Sequence, residues 1–198
     1  SATSAEIFRA FSPYKYVWRT VESDVAQMRT MLTVAARDGA KTVALITSAE
    51  QYGATFFDWF GFFATELGLE TTGIRRYDES AVSFDECLSD VLSGKPDALL
   101  AVPISTNITV EIIRRTGAEA AGTRLIFSDA GMSSDLIQRL GQAADGIEGF
   151  ALVADGDNGF NEAFAARFQT PPTPYAANVY DALTLIAYGL ERSDGRGG

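Results

Sequence analysis

The 198-residue chain contains no histidine and a single cysteine, Cys87. Without histidine, the usual base of serine and cysteine nucleophiles is missing, and Cys87 cannot join a Cys/His metal set. A lone cysteine forms no intrachain disulfide, and its place beside Leu88 and Val91 in a helical pattern is that of a small buried apolar residue. Basic residues are also scarce: 16 Lys and Arg against 26 Asp and Glu leave a net charge of −10. That balance disfavours nucleic acid, whose nonspecific binding depends on clustered cations that release counterions. The apolar runs, such as residues 98–104, fall well short of the ~20 residues that cross a bilayer. No basic stretch followed by an apolar one stands near residue 1 as an export signal would.

Glycine-rich phosphate loops and the Gly-x-Ser-x-Gly elbow are missing too, so nucleotide binding and α/β-hydrolase chemistry lack their motifs. Asp155 and Asp157 lie near each other, but with Gly156 and Asn158 they read as a surface turn rather than a metal site. No cofactor or metal is expected, and no catalytic residue is assigned.

What the sequence does contain is alternation. Short β-branched runs are interleaved with amphipathic helical patterns, the mark of βαβ units and an α/β fold with a mainly parallel sheet. Strands are predicted at residues 16–20, 42–47, 70–76, 97–102, 124–128 and 146–154, the second as a continuous apolar run of the kind a central strand requires and the fourth as a buried strand. Ser23 or Asp24 caps a helix carrying Val25, Met28, Leu32 and Ala36, which Gly39 ends. An aromatic helix with Phe56, Phe57, Trp59, Phe60, Phe62 and Phe63 follows a polar loop at 48–53. Further helices are predicted from Ser83, over 108–115 before a turn at 117–123, over 136–140, 160–168 and 175–192.

In open α/β sheets ligands gather beyond the carboxyl ends of the strands. The loops predicted there, 48–53, 103–107 and 128–134, offer Tyr52, Ser105, Thr106, Asn107 and Asp129. One aromatic face, hydroxyls, an amide and a carboxylate suit holding a small polar molecule better than breaking its bonds. Ser105 and Thr106 are equally natural helix caps.

The order and spacing of several segments resemble the type I periplasmic binding proteins of the branched-chain amino acid transporter class. They are Ser1-Ala2-Thr3-Ser4, Tyr16-Val17-Trp18-Arg19-Thr20 with Ser23-Asp24 and Gln27, Gln51-Tyr52-Gly53, Lys95-Pro96-Asp97-Ala98-Leu99, Phe127-Ser128-Asp129-Ala130-Gly131, Ala144-Asp145-Gly146-Ile147-Glu148-Gly149 and Tyr180-Asp181-Ala182-Leu183. The resemblance implies two Rossmann-like lobes, each a parallel sheet flanked by helices on both faces, closing on a ligand. It divides the chain into an end of the first lobe and crossover at 1–20, the second lobe at 21–153, and a return segment and helix at 154–198. Ser1, Ala2 and Thr3 would then meet the carboxylate of a bound amino acid, Tyr52 would cover the ligand, and Asp129 would meet its ammonium.

The family's aromatic in the loop after the fourth motif is replaced here by Pro103-Ile104-Ser105-Thr106. The implied role is that of a bacterial periplasmic or extracytoplasmic solute-binding protein, not an enzyme. It would deliver an amino acid or related carboxylate to the membrane permease of an ABC transporter without inserting into the membrane itself. A ligand-binding sensor domain of a signalling receptor is the alternative. The resemblance also implies a chain holding one lobe and part of another, whose incomplete edge and Phe-rich helix favour self-association.

Overall fold

The first strand, β1 (Thr42–Ser48), is buried from its second residue to its last. Such a strand needs cover on both faces, which its Val-Ala-Leu-Ile run can supply in opposite directions. A computed structural model describes residues 9–11, 13, 17–78, 81–152, 158–173 and 175–196, and it shows that cover. β1 lies between β2 (Glu70–Tyr77) and β3 (Ala98–Val102), and β4 (Arg124–Phe127) and β5 (Glu148–Gly149) extend the sheet. All pairings are parallel, in the order β2-β1-β3-β4-β5. The sheet is therefore the doubly wound kind, with its topological switch point between β1 and β3.

Helices α1 (Asp24–Arg37) and α2 (Gln51–Glu66) pack on one face, where Met28, Leu32, Phe56 and Phe60 meet Val43, Leu45, Leu100 and Val102. On the other face, α3 (Ala81–Ser93) and α4 (Thr106–Glu119) bring Leu88, Val91 and Ile112 against Ile46, Leu99, Ala101 and Phe127. The split follows the two-residue side-chain period of a strand: Leu45 points one way and Ile46 the other. A short α5 (Ser134–Leu140) follows β4.

Polar ties close the amino end of the sheet. Asp97 Oδ2 accepts from the N–H groups of Lys41 at 2.8 Å and Thr42 at 2.9 Å, and the Asp97 N–H donates to Thr42 Oγ1. Arg124 bridges Asp38 and Glu148, linking the end of α1 to the edge strand.

Contacts divide the chain into Ser23–Ala151 and a second unit made of Glu6–Glu22 with Leu152–Gly198. Within the second unit, α6 (Phe160–Phe168) and α7 (Ala176–Arg192) meet through Phe160 and Tyr180, whose ring centroids are 5.6 Å apart. Asn178 on α7 exchanges two hydrogen bonds with Thr20.

Several boundaries differ from the sequence prediction. The expected strand at 16–20 is not formed over 17–20: Trp18 is 83% exposed and nothing pairs with its backbone as a strand, while Tyr16 lies outside the described residues. α2 begins at Gln51, so the polar loop is shorter than 48–53. Gly53 makes this possible, since a Cβ there would stand 2.1 Å from the Ser48 carbonyl oxygen. α4, capped at its start by Ser105, which accepts from the Ile108 N–H, runs through Gly117 to Glu119; one interior glycine costs a helix only about 1 kcal/mol relative to alanine. The predicted strand at 146–154 is reduced to two residues that pair only with Ile126 and Phe127; residues 153 and 154 lie outside the described residues, as do Asp155 and Asp157.

Candidate functional site

In a parallel α/β layer every covering helix runs back against the strands, so the amino ends of α1, α2 and α4 all lie at the carboxyl edge of the sheet. Tyr52 is the second residue of α2, and Gly53 presses that turn onto the end of β1. Asp129 opens the short 3-10 turn Asp129–Gly131 that directly follows β4. These two residues meet: the Tyr52 hydroxyl donates to Asp129 Oδ1.

The pair is set in a largely dry environment. Asp129 is 7% exposed, and Asp24 and Gln27 in the first turns of α1 are wholly buried, as is Ser128. The Tyr52 ring stands edge-on to Phe56, with centroids 5.2 Å apart. Burial pushes the Tyr52 hydroxyl far above the ordinary tyrosine value, and the negative charge of Asp129 and the hydrogen bond to it add to the effect. Ser128 opposes the shift, and the charge of Asp24 adds to it. The physical result is a hydroxyl that stays protonated and is fixed as a donor to the carboxylate.

Gln27 ties the site together from below. Its Oε1 accepts from the Asp129 N–H at 3.3 Å, joining α1 to the turn after β4.

Of the residues expected from the sequence, the structure brings Tyr52 and Asp129 together and leaves the others in different settings. Ser105 is exposed and serves as the α4 cap, and Thr106, half-buried, begins that helix at the carboxyl end of β3. Ser1, Ala2 and Thr3 lie outside the described residues. Asp24, Gln27 and Ser128 were not expected as site residues. The available signal was a pair of polar positions, Asp24 and Gln27, on the same helical stripe as the apolar Met28 and Met31, where solvent-facing polar residues would break the periodicity.

A nucleophile beside a base does not occur in this set, and among the described residues no group of three or more His, Cys, Asp or Glu could hold a metal ion. Hydroxyl, amide and carboxylate groups held in fixed directions in buried, low-dielectric surroundings are suited to recognising a ligand rather than transforming it. Among the described residues no helix is long and apolar enough to cross a membrane.

The periplasmic binding protein family matches residues 3–197. The chain belongs to that family. Solved structures agree in fold. An extracellular ligand-binding receptor from Rhodopseudomonas palustris HaA2 superposes with a TM-score of 0.80 at 20% identity, covering 98% of this chain and 58% of its own. A leucine-binding protein from Thermotoga maritima MSB8 gives 0.75 at 25% identity, with 90% and 53% covered. A solute-binding protein of an ABC transporter from R. palustris, in complex with benzoate, gives 0.74 at 22% identity, with 90% and 51% covered.

None of the curated proteins matches this chain. The chain of this periplasmic binding protein spans about half the length of the solved structures it resembles. Those neighbours are type I periplasmic binding proteins, a class of binders rather than enzymes, and the parallel five-stranded sheet between two helical layers is their architecture.

Proposed function

We propose that the full-length protein is the solute-binding component of an ABC importer, and that the Ser23–Ala151 unit supplies one wall of its ligand site at Tyr52 and Asp129. The supporting observation is the Tyr52–Asp129 hydrogen bond at the carboxyl edge of a doubly wound sheet, where such folds take their ligands. An ionised carboxylate accepts up to about four hydrogen bonds, so Asp129 can take a ligand donor while still holding Tyr52.

A buried carboxylate favours a ligand with a cationic or hydrogen-bonding donor group, and an amino acid brings an ammonium. Benzoate itself presents no such donor to Asp129, whereas a hydroxybenzoate offers only a neutral phenolic one; one fold neighbour binds benzoate and another is a leucine-binding protein. The chemistry on this wall supports the amino acid reading.

Titration calorimetry of the full-length protein with aliphatic amino acids, their 2-oxo analogues, benzoate and 4-hydroxybenzoate tests it. Saturable binding of an amino acid that its 2-oxo analogue fails to reproduce is the expected result. No saturable binding across the panel would overturn the solute-binding role, and benzoate binding that is unchanged in Asp129→Asn would overturn the amino acid reading.

A further inference from the structure

The orientation of the Gln27 side chain is set by its neighbour. The Asp129 main-chain N–H is a donor, so the amide atom facing it must be Oε1, and the NH2 group necessarily points elsewhere. That NH2 is buried and has no hydrogen-bond acceptor among the described residues. A methionine would fill nearly the same volume without burying an unmatched donor, so packing alone does not account for glutamine at this position.

The other end of the bond explains it. The β3–β4 ladder pairs residues only as far as Phe127. The turn that follows is closed by the Gly131 N–H on the Ser128 carbonyl and the Met132 N–H on the Asp129 carbonyl. Neither bond uses the Asp129 N–H, which therefore lies beyond the strand and outside the hydrogen bonds of its own turn. Gln27 Oε1 is its acceptor, reaching across 102 residues of sequence.

We propose that Gln27 is a positioning residue of the ligand site: by holding the Asp129 main chain it fixes where the Asp129 carboxylate stands relative to the Tyr52 hydroxyl. As a statement about ligand affinity this rests on the solute-binding reading above. As a statement about Asp129 it does not.

The test uses the full-length protein with Gln27→Met, which keeps the volume and removes the acceptor, and Gln27→Glu, which keeps an acceptor oxygen and removes the NH2. Without ligand, hydrogen exchange followed by NMR should show the Asp129 amide of Gln27→Met exchanging at least ~tenfold faster relative to neighbouring amides, with protection retained in Gln27→Glu. With ligand, Gln27→Met should weaken binding about tenfold, and that loss should disappear in the Asp129→Asn background, because the two changes act on one group. Unchanged Asp129 exchange in Gln27→Met overturns the proposal, and so does a Gln27→Met affinity loss that simply adds to that of Asp129→Asn. If Gln27→Met does not fold, rapid Asp129 exchange in Gln27→Glu overturns it and retained protection supports it. A wild-type protein that binds nothing in the panel defeats the proposed function, while the exchange measurement still decides whether Gln27 positions Asp129.

Discussion

Leu100 in β3 and Leu183 in α7 are the same residue type in equally clear apolar patterns, yet one is wholly buried and the other 62% exposed. The contrast extends to their surroundings. Around the sheet, helices α1 to α4 each find a strand surface to cover, and Met28, Leu32, Phe56, Phe60, Leu88 and Ile112 vanish from solvent. On α7, Val179, Leu183, Ile186 and Leu190 make a stripe at helical spacing that no described residue buries. An amphipathic stripe shows that a helix is built to be covered, whereas coverage itself depends on a second surface being present. Stability in the described protein is therefore concentrated in the Ser23–Ala151 unit.

Truncating the two leucines is the strongest way to break that comparison. Leu100→Ala should cost about 2–5 kcal/mol through lost burial and a residual cavity. Leu183→Ala should stay within about 0.5 kcal/mol. Urea denaturation of this chain reads both, and equal losses would show that α7 is as well packed as β3. The next largest effect concerns the site rather than the core. In the full-length protein, Asp129→Ala and Tyr52→Ala should each weaken ligand binding at least ~tenfold, about 1.4 kcal/mol, with melting temperature little changed. Losses of affinity that track losses of stability would mean that these two residues belong to the core and not to the site.

A smaller effect separates the two edges of the same sheet. At the amino edge the Asp97 carboxyl is held below the ordinary carboxylate range, chiefly by the N–H groups of Lys41 and Thr42. A depressed folded value means that the stabilisation is fully present above the unfolded carboxyl value of about 3.9 and is lost as pH falls through the folded one. Asp97→Asn should therefore lower the melting temperature at neutral pH, and its difference from wild type should shrink through the acid limb. A pH-independent difference would place the effect in shape rather than charge.

The architecture was legible where one physical requirement dominated. The runs Val43-Ala44-Leu45-Ile46 and Ala98-Leu99-Leu100-Ala101-Val102 mark central strands because a sheet covered on both faces accommodates uninterrupted apolar residues. The segment at 17–20 has the same β-branched look but no paired neighbour, and β propensity without a ladder does not make a strand. Tyr52 and Asp129 could be found by asking what stands at the mouths of strands, since turn residues there have few other duties. Asp24 and Gln27 were harder to find: their place on the Met28 and Met31 stripe was visible in the helical spacing, but a polar residue in an amphipathic helix is ordinarily read as solvent-facing. Ser105 and Thr106 show how one position can carry two duties: both stand at the carboxyl end of β3, and Ser105 also caps α4 by accepting from the Ile108 N–H.

The role of Tyr52 and Asp129 as a ligand wall is tested most directly by a crystal structure of the full-length protein with its tightest-binding ligand from the titration panel. The account predicts the ligand's donor group within hydrogen-bond distance of the Asp129 carboxylate and its body against the Tyr52 ring. An ordered ligand that touches neither residue would contradict it.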